Sequence, residues 1–267
     1  MTDTSTPAEA PLLDLVGSEE ARRVAEELLA TAGSSELPLE IGTLTDEELV
    51  AYLGSEDAAG PMGVWYTALV VEAKELAQLS TLRALTARGQ FRQLADESGQ
   101  EAYQLAEPVL ATLRLRSTEP RLSAQTARDD GPWWYILRPL EGGLWLREVV
   151  TPVGMHSFHL VRLESEEELF LTVVGVGADA PPAEVSADLT PEQLEEKTPA
   201  NSFLEGCTHA TSLMAIVPGQ PHPDVLNIHV SSEGEVFLGR RIEDRMAFRG
   251  APGDVVVDTW RSWVAAQ

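Results

Sequence analysis

The sequence predicts an α+β fold: antiparallel β-sheet meanders flanked by helices, with an N-terminal helical segment and a C-terminal helix. Three observations carry that expectation. Apolar residues recur at helical steps through the first 112 residues, whereas from Leu113 onward most segments alternate with period two or run apolar over five to eight residues. The connections between those later segments are too short for the crossover that a parallel pair requires. Helices and strands are also segregated along the chain, which separates this class from alternating α/β.

The start, MTDTSTPAEA, is polar with small side chains and reads as a frayed tail. Ser18, ahead of EEARRVAEELLATAG, supplies an N-cap, acids fill the first turn, and Gly33 stops the helix. ELPLEIG reads as an extended connector. In TDEELVAYLG, Thr45 and Glu48 have capping-box spacing and Gly54 ends the turn. The longest helical pattern spans about Val64 to Leu94, with Leu69, Leu76, Leu79, Leu82 and Leu85 at steps that suit one face and Gly89 near its end. A shorter helix is expected at about Gln100–Leu110, interrupted by Pro108.

LRLRS, RLSAQTAR, PWWYILRPL, GLWLREVV, MHSFHLVRL and ELFLTVVGV then read as an antiparallel meander of five or six strands, punctuated by EP, DDGP, EGG and PVG. Beyond Gly175 the chain loosens into a linker, with a helix capped by Thr190 and carrying Pro191 at its first position. TSLMAIV, DVLNIHVS, EVFLGRRI and RMAFRG form a second β block, and GDVVVDTWRSWVAAQ a terminal helix with Val256, Trp260 and Trp263 on one side. The expected organisation is a tail at 1–17, a helical region at 18–112, a meander at 113–178, a linker with a short helix at 179–209, and a second β block with the C-terminal helix at 210–267. Residues 113–267 are also readable as one domain.

The 267 residues carry 19 basic against 43 acidic side chains, a formal net charge of −24. So anionic a surface repels phosphate backbones and anionic lipid and favours a partner with a basic face. The N-terminal sequence has no basic stretch followed by an apolar run, and no segment approaches the roughly 18 apolar residues of a membrane span. A lone cysteine, Cys207, fits a reducing compartment.

Candidate sites follow from residue type and spacing. Arg83, Arg88 and Arg92 form a basic stripe that a winged-helix domain would set on phosphates, yet residues 1–60 bring 14 acids against two arginines next to it. His156, His159, His209, His222 and His229, with Cys207, raise the question of a metal; the spacing of His156 and His159 puts them on opposite strand faces, and Cys207 and His209 lack a second ligand pair. No metal or cofactor is expected. Cys207 and Ser157 are the candidate nucleophiles, without a nucleophile elbow or any nucleotide-binding glycine motif. Trp133, Trp134 and Tyr135 on one strand, and Trp145 on the next, are the candidate partner contacts, because alternation sends some of them outward.

SSELPLEIG at 34–42, TDEEL at 45–49, LRALTARGQF at 82–91, the long meander, and the GRRI…MAFRGAPGD…W ending together resemble the EspG family, secretion-associated chaperones of type VII (ESX) secretion systems in actinobacteria. The resemblance implies a central antiparallel sheet flanked by helical bundles, a cytosolic location, and binding to the tip of helical substrate heterodimers, whose apolar surface is shielded. The acidic first sixty residues and the long loop at 54–64 depart from the family pattern, and no individual binding residue is carried over. The expected function is a cytosolic, non-enzymatic protein-binding module that caps an apolar helical partner and keeps it soluble for secretion, with no membrane contact. The alternatives are a winged-helix DNA-binding regulator using the Arg83–Arg92 segment, and an uncharacterised enzyme using the Cys207/His209 region.

Overall fold

The computed structural model describes residues 15–95, 101–196 and 199–267. Residues 1–14 of the expected tail and Gln100 lie outside the described residues, and Val16, placed in that tail, is buried in the core. Ten strands form one antiparallel sheet flanked by helices. The chain divides into two compact units, Met1–Glu119 with Pro139–Leu160, and Pro120–Arg138 with Val161–Gln267.

In the first unit, Ser18 caps α1 (Glu19–Gly33) by accepting from Ala21 N at 3.1 Å. β1 (Leu39–Thr45) runs straight into α2 (Asp46–Leu53). There Thr45 Oγ1 accepts from Glu48 N at 3.3 Å and the Glu48 carboxylate accepts from Thr45 N at 3.1 Å, so the expected capping box is formed; Gly54 closes the helix at φ +80°. Thr45→Ala removes one of those bonds and is expected to cost about 1 kcal/mol, measurable by urea denaturation. The single long helix expected from Val64 to Leu94 is broken up. α3 (Glu56–Ala59) and α4 (Val64–Thr67) precede α5 (Val71–Ala87), and Phe91–Ala95 is already strand β2, paired with β3 (Glu101–Leu105). Gly89, at φ +69°, makes the turn between α5 and β2.

The helix expected to break at Pro108 instead begins there: α6 spans Glu107–Arg116 with Pro108 in its first turn, where the missing N–H costs nothing. LRLRS therefore closes a helix and is not a strand; α6 is buried on most sides, so Leu113 and Leu115 are both core residues and imitate a strand's alternation. The ELPLEIG connector supplies β1, which pairs antiparallel with β7 (Met155–Val161) and sets Leu44 opposite His156. β6 (Trp145–Val150) lies next to β7 in the sheet order. α1 packs on α6 and α2 on α5, around Val24, Tyr52, Tyr66, Leu85, Leu110 and Phe158.

In the second unit, β4 (Leu122–Arg128) pairs with β5 (Gly131–Pro139) and with β9 (Cys207–Ala215). β10 (Asp224–Ser231), β11 (Val236–Ile242), β12 (Arg245–Gly250) and β8 (Ser186–Leu189) continue the antiparallel ladder. The full sheet order is β1-β7-β6-β5-β4-β9-β10-β11-β12-β8. ELFLTVVGV, expected as a strand, is helix α7 (Glu167–Val174): Phe170, Val173 and Val174 fall at helical spacing and are buried, and an apolar run this short fits either period. Thr190 caps the short α8 (Pro191–Glu195) with a full capping box. α9 (Gly253–Ala265) buries Val256, Trp260 and Trp263 on one side, as its spacing predicts. The Phe170 and Trp260 rings stack at 4.6 Å, which fastens α9 to α7.

Candidate partner-binding surface

Among the described residues twelve large apolar side chains are exposed, and eight of them sit on α4, on α5 with its N-cap, and in the turn between β6 and β7. Val64 (46% exposed) and Trp65 (49%) belong to α4, Val70 (66%) caps α5, Val71 (68%), Leu76 (69%) and Leu79 (62%) lie along it, and Val153 (70%) and Met155 (38%) flank the turn. The leucines of this region were expected to share one face. Instead Leu85 faces the core, while Leu76 and Leu79, three residues apart, share the solvent side with Glu72 and Glu75. Leu85 is the only fully buried residue of this 17-residue helix. Exposed apolar side chains concentrated on so few elements, with Glu72 and Glu75 exposed among them, are what a docking surface presents.

The surface has a stiff foundation. Tyr66, the buried residue of α4, accepts a hydrogen bond from Gln78 Nε2 at 2.8 Å, with Lys74 Nζ 5.3 Å from its ring centroid, and so ties α4 to α5. Lys74 in turn pairs with Glu56 of α3 at 2.9 Å. Val64 N donates to Pro152 O at 2.9 Å, which joins α4 to the β6–β7 turn.

Directly beneath that junction lies a buried charged cluster. His156 on β7 is fully buried between two carboxylates, Asp46 Oδ1 at 2.8 Å from Nε2 and Glu148 Oε1 at 2.8 Å from Nδ1. Arg116, at the end of α6, donates from Nε to Glu148 Oε1 at 3.0 Å and from its terminal nitrogens to the carbonyls of Ala58 and Ala59. Asp46 Oδ2 accepts from Gly63 N at 3.0 Å, and Asp46 N donates to Gly154 O at 2.9 Å. Both flanking glycines are required: a Cβ on Gly154, at φ +76°, would run into the Asp46 carboxylate, and one on Gly63 into the backbone of Gly154. Burial alone would lower the His156 pKa; the hydrogen bonds that the ring donates to Asp46 and Glu148 outweigh it, and the pKa lies above the ordinary 6.5. With both ring nitrogens donating, the four side chains carry two positive and two negative charges.

The residues singled out by the sequence are dispersed. Tyr135 is fully buried, donating to Glu166 Oε2 at 2.8 Å, and Trp145 is buried, so neither is open to a partner: side chains on both faces of the sheet at these positions are covered. Trp133 and Trp134 are half-buried; Trp133 donates its indole N–H to Asp130 at 3.1 Å and lies under the Arg128 guanidinium. Arg83, Arg88 and Arg92 do not share a helix. Arg83 is exposed on α5, Arg88 caps that helix and pairs with Glu48 at 2.8 Å, and Arg92 stands on β2.

Among the histidines, His156 and His159 do face apart, and His229 stacks on Phe237 at 4.8 Å, where burial pushes its pKa down to about 4. His159 and His209 are lowered too, first by burial. Burial raises the Cys207 thiol, which donates to Phe203 O at 3.6 Å. Among the described residues no group of three or more His, Cys, Asp or Glu could hold a metal ion, and no helix is long and apolar enough to cross a membrane. Val64, Trp65, Val70, Val71, Val153 and Met155, all exposed, are not among the contact residues expected from the sequence. The available signal was that apolar residues of 64–94 spread too far around a helix to be buried by one neighbour.

No protein-family model matches the chain, and no curated protein does. Among solved structures the fold is similar to a chain of the Mycobacterium tuberculosis type VII secretion system chaperone EspG5 in complex with the PE25–PPE41 dimer. The identity is 13% and the TM-score 0.45, over 84% of this chain and 96% of that one.

Proposed function

We propose that this chain is a non-enzymatic protein-binding module of chaperone type, acting in the cytoplasm. It caps an apolar helical partner and keeps that partner soluble, in the way implied by the sequence resemblance to the EspG chaperones of type VII secretion. The observation that supports this reading best is the concentration of exposed apolar side chains on α4, α5 and the β6–β7 turn, within a unit whose acids outnumber its bases. Burying such a surface against a partner removes it from water at roughly 25 cal/mol per Å², and the surrounding carboxylates select a partner with basic residues around its apolar tip. Arg83, Arg88 and Arg92 have no nucleic-acid role under this reading.

The test is co-expression. The full chain is purified from its native cells, the protein bound to it is identified, and that protein is then produced with and without the chain. The expected result is a stoichiometric complex with a helical protein that is insoluble alone and soluble in the complex. A partner equally soluble without the chain, or turnover of a small molecule by the chain itself, would contradict the reading.

A further inference from the structure

We propose that Asp46, His156, Glu148 and Arg116 form a proton-operated latch that holds together the two backbone segments carrying the apolar surface, Gly63–Thr67 and Thr151–Met155. For its effect on partners this rests on the reading of that surface as a docking site; the latch itself does not.

The geometry makes the latch a single unit. Asp46 grips both segments at once, accepting from Gly63 N through Oδ2 and donating its own N–H to Gly154 O. Arg116 holds the preceding turn through the Ala58 and Ala59 carbonyls, and is itself oriented by Glu148. His156 lies between the two carboxylates. The charged groups facing it are Asp46 from α2, Glu148 from β6 and, beyond Glu148, Arg116 from α6; Leu44 opposite on β1 and Phe158 alongside on β7 bring no charge.

A carboxylate only accepts, so both contacts at 2.8 Å require a ring nitrogen that donates, and only the imidazolium supplies two. When solvent base removes one proton, either neutral tautomer sets a lone pair against a carboxylate oxygen, and the four side chains are left with one negative charge in excess. Glu148 stays held by Arg116, so Asp46, whose carboxylate has among the described residues only the Gly63 N–H beside His156, is the one that yields, and Gly63 loses its acceptor. The segment leading into α4 thereby loses its tether. Burial lowers the His156 pKa and the two bound carboxylates raise it, with a net position above 6.5. The latch is therefore complete below that value and opens as the pH climbs through the folded-state value.

Asp46→Asn separates the latch from ordinary packing. An asparagine can donate Nδ2–H to a neutral His156 Nε2 and still accept from Gly63 N through its oxygen, so it closes the latch without the second proton. The experiment follows His156 ring protonation and the amide-exchange protection of Gly63 by NMR across the titration, in the full chain and in D46N, with intrinsic base catalysis divided out. In the wild type, Gly63 protection is expected to fall at least tenfold in step with His156 deprotonation, while D46N retains it. Wild-type protection unchanged through that titration, or lost equally in D46N, would overturn the proposal; should D46N not fold, the wild-type titration decides. Partner affinity measured over the same pH range is expected to follow Gly63. If affinity stays flat while Gly63 protection follows His156, the latch stands and the docking assignment falls.

Discussion

Replacing His156 with leucine is expected to destabilise the first compact unit by about 3–5 kcal/mol. Leucine nearly matches the imidazole in volume, so the loss is not that of a cavity. It comes from leaving Oδ1 of the fully buried Asp46 carboxylate, whose ion-pair partner is His156, facing hydrocarbon, with only the Gly63 N–H still bound to Oδ2. Glu148 keeps Arg116 and loses the Nδ1 donor. In a domain of this size the change corresponds to a fall in Tm of roughly 6–20 °C. Adding Asp46→Asn to H156L removes the stranded charge and should recover part of the loss, and calorimetry of the two single variants and the double variant gives the coupling between the residues. A loss of under about 1 kcal/mol in H156L would show that the cluster is tolerated by the core and does not hold it together.

The second large effect concerns the surface. Leu76→Asp with Leu79→Asp changes two side chains that are 69% and 62% exposed, so the fold should be untouched: surface substitutions of this kind stay within about 0.5 kcal/mol each. For a partner seated on α5 the same change places two carboxylates in a desolvated apolar contact. At about 2 kcal/mol per central interface residue, affinity should drop by about 100-fold or more. The pairing of an unchanged Tm with lost binding distinguishes a docking surface from a leucine stripe that only shields the core.

What the sequence disclosed followed from how local each signal was. The Ser18 cap, the Thr45–Glu48 box and the Thr190 cap are written within four residues of one another, and each appears where the spacing places it. Strands β4 to β7 and β9 to β12 announce themselves through alternation and turn glycines, and Val256, Trp260 and Trp263 through helical spacing. Failure came where burial hides the period. α6 is buried on too many sides to show an amphipathic pattern, and the apolar run of α7 is too short to separate the two periods, so LRLRS and ELFLTVVGV imitated strands.

The site was less legible than the fold. Leu76 and Leu79 are chemically no different from Leu85, and only the tertiary arrangement leaves the first two exposed. The charged cluster gathers Asp46 and His156 from 110 residues apart, each unremarkable where it stands. Alternation sends neighbouring residues of the tryptophan strand to opposite faces but does not say which faces are covered, and Tyr135 and Trp145 are both buried.

The most direct test of the central claim is a calorimetric titration of the captured partner into the native chain and into the L76D/L79D variant at one pH below 6.5. Tight binding by the native chain and at least a 100-fold weaker affinity for the variant are expected, with the Tm of the two free proteins within about 4 °C. Equal affinities would contradict docking there, because a partner that binds as well beside two new carboxylates is not seated on α5.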